Sequence, residues 1–326
     1  MLGIGAFDRT IIRCAALLVA LVFSGCSTFV PDIDPVDDVV IVKVPVKVEP
    51  RQPVKVPTPP EPPKLPPVAI VLTSSQPAFL DVANALVDQL DDVRVYDLSD
   101  RSRPPVSVLR GINDSDSGTV VAIGLRAAKS SVAMADSPVI FSQVFNHQDH
   151  GLLTANSRGV APLAPLAAQL AAWTAVDPTI SRIGIIIGEG HEDLITEARL
   201  AAQQHDVELR IRIAHSDQET LYLFRRMMQD IDGFWLFPDN RILSKRSLRE
   251  ILDAARRRHI AVAVPNESML QMGATISITT EARDIAATIA RVIRNIHTNG
   301  LQNVPAITPL TAVRVVTRDS VSVVSR

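Results

Sequence analysis

The chain carries only two cysteines, Cys14 and Cys26, both near its start. No disulfide can therefore form in the remaining three hundred or so residues, and a domain there must rest on apolar burial. Aromatic residues are scarce at 4%, which leaves few rings to sandwich an aromatic ligand. Charge of one sign is also lacking: the formal net charge is −2, so no global field favours nucleic acid. Walker loops, Gly-x-Ser-x-Gly and clustered cysteines do not occur, which removes familiar signatures of nucleotide hydrolysis, serine-hydrolase and zinc chemistry. No apolar run approaches the roughly 20 residues that a membrane-spanning helix needs.

The first residues hold a different pattern. Arg9 and Arg13 give a short basic start, followed by the ten-residue apolar run CAALLVALVF at 14–23. That is the length of a signal-peptide core. Phe23-Ser-Gly-Cys26-Ser27 follows, with small residues before a cysteine. This resembles the bacterial lipobox, although Phe23 stands where Leu is usual. The resemblance implies export, cleavage of 1–25 and a lipid on Cys26. An ordinary secretory signal with a chance cysteine, or a cytosolic protein with a buried helix, is the other reading.

Residues 26–67 contain about half of the 23 prolines and end in VPTPPEPPKLPP. Proline fixes φ and removes backbone donors, so this segment favours extended polyproline II over a packed element. At its length it can reach roughly 100 Å, as a semi-rigid spacer or a plain connector.

From residue 68 the pattern changes to short apolar runs alternating with helical spacing. Strands are predicted at 68–72, 93–98, 119–123, 138–145, 182–187, 207–213, 233–237, 261–265 and 313–316. Helices are predicted at 79–90, from 125, and at 163–175, 192–204, 219–230, 247–259 and 281–299. Such alternation, with strands apolar from end to end, marks parallel sheets covered on both faces. The strand count exceeds one comfortable sheet. The expectation is an α/β protein of two doubly wound lobes, with the seam near 177–181. A first lobe at 68–180 is completed by about 281–326, and a second spans 181–280. Ligands in such sheets bind beyond the carboxyl ends of the strands, which would converge on one cleft.

Several stretches, in this order, resemble a known family: VVAIGLRAAKS, SPVIFSQVFNHQDHGLL, NSRGV, ISRIGIIIGEG, GFWLFPDNRIL, IAVAVPNESMLQMGATISITTEARDIAATIA and ITPLTAVRVVTRDSV. Together they are similar to the ABC-transporter substrate-binding proteins of the type I periplasmic-binding-protein fold, related to aromatic-amino-acid binders. The match covers roughly residues 68–320 and is collective. It implies a two-lobed clamshell that closes on a small molecule by hinge motion. Asp239 and Asn240 keep the family's pattern. The first lobe is short between Tyr96 and Val120, Leu125 replaces a hydrogen-bonding Thr or Ser, and Gly188-Glu-Gly-His191 replaces a polar turn. Glu281 stands where the family has an Asp, ahead of Ala282 and Arg283 in place of two aromatics.

The candidate binding positions lie at strand ends. Ser74 and Ser75 follow the first strand, where hydroxyls and a helix N-terminus can grip a carboxylate. Gly124 and Leu125 follow the third. Phe145 and Asn146, Glu189 and His191, Asp239 and Asn240, and finally Glu281 complete the set. Asp239 and Asn240 suit a ligand amine or hydroxyl, or else a turn. His147 and His150 have a spacing that can share a metal, but only Asp149 stands near as a third ligand. His191 with Glu192 and Asp193 reads as an ordinary acidic first turn of a helix rather than an acid/base set. Gly188-Glu-Gly190 lacks the third glycine of a dinucleotide loop. Arg225-Arg226 and Arg256-Arg257-Arg258 read as solvated faces, or else as a patch for an acidic partner or an anionic glycan.

The expected function is a non-enzymatic periplasmic solute-binding lipoprotein that holds a small, amino-acid-like ligand between its lobes and serves an ABC permease. The alternative is an outer-membrane lipoprotein that uses the same scaffold to bind or regulate an envelope-assembly protein, as activators of peptidoglycan synthases do. No cofactor, resident metal, catalytic residue or nucleic-acid partner is expected. The chain would face the periplasm, and Ser27 favours the outer membrane over the inner.

Overall fold

A computed structural model describes residues 65–318. The expected signal peptide, Cys26 and the proline-rich segment as far as residue 64 lie outside the described residues.

β1 (Val68–Leu72) and β3 (Thr119–Ile123) are buried at every position. A strand buried on both faces needs helices on both sides of its sheet. α1 (Pro77–Val87) and α8 (Ala282–Asn299) cover one side, with Leu86, Ile289 and Ile293 against Ile70 and Ile123. α2 (Pro105–Asn113) and α3 (Leu125–Met134) cover the other, around Val71, Leu109 and Phe141. The sheet runs β11 (Ile307–Thr308), β5 (Ser157–Val160), β4 (Val139–Ser142), β3, β1, β2 (Val93–Asp97), and every pairing is parallel.

The second sheet repeats the plan. Its order is β12 (Arg314–Thr317), β10 (Ile276–Thr279), β9 (Ala261–Val264), β8 (Gly233–Trp235), β6 (Arg182–Ile187), β7 (Glu208–Ile213). All pairings are parallel except β12 with β10. α4 (Leu166–Val176) and α5 (Glu192–Gln204) cover one face; α6 (Asp217–Met227) and α7 (Lys245–Arg257) cover the other. Local chemistry starts these helices: Ser216 accepts from the Glu219 N–H at 3.2 Å, and Ser244 and Ser247 form a reciprocal capping box. The structure thus has the two doubly wound α/β lobes that the alternating pattern predicts.

The boundary differs from the sequence expectation in two places. α4 belongs to the second lobe, not the first: Leu166, Leu170 and Trp173 share a core with Ile183 and Trp235. The seam therefore lies ahead of α4, near 161–165, where Ala161 N–H still bonds Thr308 O at 2.9 Å. The return segment also splits. α8 and β11 complete the first lobe, whereas β12 pairs with the second sheet. The physical reason is shared: an apolar stripe marks burial but not the core that receives it. α2, β5, β10 and β11 also escaped the sequence reading, being short and weakly patterned.

The chain crosses between lobes after β5, after β10 and after β11. At two of these crossings Thr280 donates to Ala312 O at 2.8 Å, and Glu281 pairs with Arg314 at 3.1 Å.

Candidate functional site

Loops leaving the carboxyl ends of β4, β6 and β8 meet between the lobes. Asp239, after β8, is fully buried at 0% exposure. A buried carboxylate must be paired, and this one has five donors. Arg241 forks onto it, with Nε 2.9 Å from Oδ1 and Nη2 2.8 Å from Oδ2. The Arg241 backbone N–H adds a bond of 3.1 Å to Oδ1. Gly188 N–H donates to Oδ2 at 3.0 Å, and Asn146 Nδ2 to Oδ1 at 3.1 Å. Gly188 leaves room for this: a Cβ there would sit 2.6 Å from Asp239 Oδ2 and 2.7 Å from Arg241 Nη2.

Two of these groups tie the lobes together. Asn146, from the first lobe, reaches Asp239 and also donates to Asn240 Oδ1 at 3.1 Å. Arg241 Nη1, from the second, donates to Asp149 Oδ2 at 2.7 Å. His191 Nε2 lies 2.9 Å from Asn146 Oδ1 and 2.8 Å from Arg241 Nη2. Unprotonated, that nitrogen accepts from Arg241; carrying a proton, it donates to Asn146. Phe145 walls the cluster, with its ring centroid 4.7 Å from His191 and 6.4 Å from Phe237.

Burial opposes the charge on Asp239. The His191 ring, with Nε2 3.6 Å from Oδ2, and hydrogen bonds from Arg241 and Asn146 outweigh it and hold the carboxyl far below the ordinary carboxylate range. Burial pulls the His147 pKa down; the Phe145 backbone offsets part of this, and nearby His191 adds to it. The sign follows from linkage. The unfolded chain binds the His147 proton more readily, so its contribution is full above the ordinary histidine pKa and declines as pH falls below about 6.5. We expect the urea midpoint to fall between about pH 7.5 and about pH 5.5, and to fall less in His147→Gln. Equal falls in the two proteins would reject this role.

The structure brings Phe145, Asn146, His191, Asp239 and Asn240 together, and it separates the other sequence candidates. Ser75 spends its hydroxyl on Asp97, and the Ser74 hydroxyl is buried without a partner among the described residues. Gly124, at φ +84°, begins the turn into α3, and Leu125 packs among the apolar residues beneath α2 and α3. Glu189 is exposed and pairs with His215 at 2.8 Å. Glu281 pairs with Arg283 and Arg314 at the interlobe crossings. His147 is buried, whereas His150 is exposed. Sequence reasoning missed Arg241 altogether and weighed Asp149 only as a metal ligand. The one available signal was a cation two residues beyond a carboxylate at a strand end.

Among the described residues no group of three or more His, Cys, Asp or Glu is arranged to hold a metal, and no helix is long and apolar enough to cross a membrane. Surface grooves lined by Asp177, His259 and Ala261 lie at the opposite end of the second lobe's strands, away from this cluster.

Solved structures share the fold. An open, ligand-free substrate-binding protein with adhesive properties from Clostridium difficile superposes with a TM-score of 0.60 at 12% identity, covering 80% of this chain and 95% of that one. A conserved domain protein from Vibrio cholerae gives 0.54 at 16% identity, covering 78% and 92%. An ABC domain in complex with L-Trp from Streptococcus pneumoniae gives 0.53 at 14% identity, covering 79% and 94%. No curated protein matches the chain. The family model for ABC transporter substrate binding proteins matches residues 83–308, the greater part of the sequence, and the chain belongs to that family.

Proposed function

We propose that this is a non-enzymatic, lipid-anchored solute-binding protein of the bacterial envelope that takes a small, amino-acid-like ligand between its lobes. Family members are generally non-enzymatic and typically extracytoplasmic. The observation that carries the reading is the meeting of loops from the carboxyl ends of both sheets on Asn146, His191 and Asp239, where doubly wound sheets place their ligands. Cys26 would carry the lipid, and the proline-rich segment would hold the lobes away from the membrane. An ABC permease is the partner this reading implies. Ser27 favours the outer membrane.

A second reading has one observation in its favour. Arg241 and Asn146 already join the lobes, to Asp149 and Asp239 respectively, so the lobes can meet without a solute. On that reading the protein is an outer-membrane lipoprotein that binds or regulates an envelope-assembly partner.

Thermal unfolding of the full chain against amino acids, sugars, nucleosides and short peptides separates the two. Solute binding predicts a saturable stabilisation of about 2.7 kcal/mol at a hundredfold excess over Kd, lost in Asn146→Ala. No shift across the panel, with an envelope protein recovered by crosslinking, would reject solute binding.

A further inference from the structure

The Asp239 carboxylate is bonded as if it already held a ligand. Arg241 meets it with Nε and Nη2 on separate oxygens, the two-pronged geometry that an external guanidinium would adopt. Gly188, Asn146 and the Arg241 backbone take up the remaining acceptor sites. A further donor cannot simply be added; it has to replace one of these.

Arg241 also faces a second carboxylate. Nη1 bonds Asp149 of the first lobe at 2.7 Å, while Asp239 belongs to the second. The guanidinium therefore bridges two acids across the cleft. Its side chain is 31% exposed and Asp239 is 0% exposed, so the cation has a route to solvent and the carboxylate has none. With Arg241 withdrawn, two carboxylates would face each other with His191 and Asn146 between them. That site repels anions and demands a cation with several N–H donors.

We propose that Arg241 is a built-in occupant of the Asp239 subsite: it holds the lobes closed in place of a ligand, and the compounds able to displace it are guanidinium or primary ammonium cations. The inference rests on the reading that the interlobe cleft is the binding site, and it specifies the class of ligand that site accepts.

The test uses the full chain with methylguanidinium as the probe. Arg241→Ala is expected to open, seen as a larger radius of gyration in solution scattering. Millimolar methylguanidinium should restore the closed value with saturation, and the rescue should vanish in Arg241→Ala/Asp239→Asn. The wild type, closed from the start, should keep its radius at the same probe concentrations. Asp149→Ala covers the case in which Arg241→Ala does not fold. It spares the Asp239–Arg241 pair inside the second lobe and removes the acceptor of the Arg241 bridge, and it too should open. An Arg241→Ala or Asp149→Ala protein as closed as the wild type would overturn the proposal. So would a rescue that survives loss of Asp239. Rescue without any solute hit would defeat the solute reading and leave the latch standing; a solute hit without rescue would do the reverse.

Discussion

Asp239→Ala lowers the unfolding free energy by about 3–5 kcal/mol, the range for removing one partner of a buried ion pair. The substitution strips one of the two counter-charges from Arg241 and leaves an N–H of Gly188 and one of Asn146 without their acceptor. Asp239→Asn keeps the volume and recovers part of the loss, because one amide oxygen still accepts while the NH2 opposes a donor. Urea unfolding at neutral pH measures both. The carboxyl titrates far below the ordinary range, so its contribution is fully present above the unfolded carboxylate pKa of about 3.9 and is lost as pH falls further. The wild type and Asp239→Ala should therefore converge in acid. A loss under about 1 kcal/mol at neutral pH would mean that Asp149, already bonded to Arg241, is counter-charge enough.

Trp173→Ala costs a comparable amount, about 3–5 kcal/mol, as large-to-small changes of buried aromatics do. Trp173 is 1% exposed and meets Trp235 edge-on at 6.4 Å. Its ring lies against Gly233, where a Cβ would be 3.0 Å from the indole, so the pocket is shaped around it. The location of the damage matters as much as its size. α4 is sequence-adjacent to the first lobe, yet Trp173 belongs to the core of the second. Amide exchange should accelerate in β6 and β8 while β1 and β3 keep their protection. The opposite pattern would return α4 to the first lobe.

The sequence by itself determined the class of fold. Runs such as VAIVL and TVVAI, separated by amphipathic helices, admit little besides parallel sheets covered on both faces, because a strand apolar on both sides has nowhere else to bury itself. It also marked the loops that meet between the lobes. Strand carboxyl ends can be read off the apolar runs, and Asn146, His191 and Asp239 all follow such ends. Short elements were illegible for the converse reason: β11 has two residues and no periodicity to detect.

Only the tertiary structure decided what each polar side chain touches. Ser75 and Glu281 look as suited to a ligand as Asn146 does when read along the chain. Their partners, Asp97 for one and Arg283 and Arg314 for the other, are set by strand register and by the interlobe crossings. Arg241 shows the difference most clearly. As a letter after Asp-Asn it is one more surface cation; in three dimensions it bridges Asp239 and Asp149 across two lobes. Apolar patterning is a local property that each element writes in its own residues. Charge pairing at a cleft depends on distances between segments about ninety residues apart, and the chain acquires those only when both lobes have folded and met.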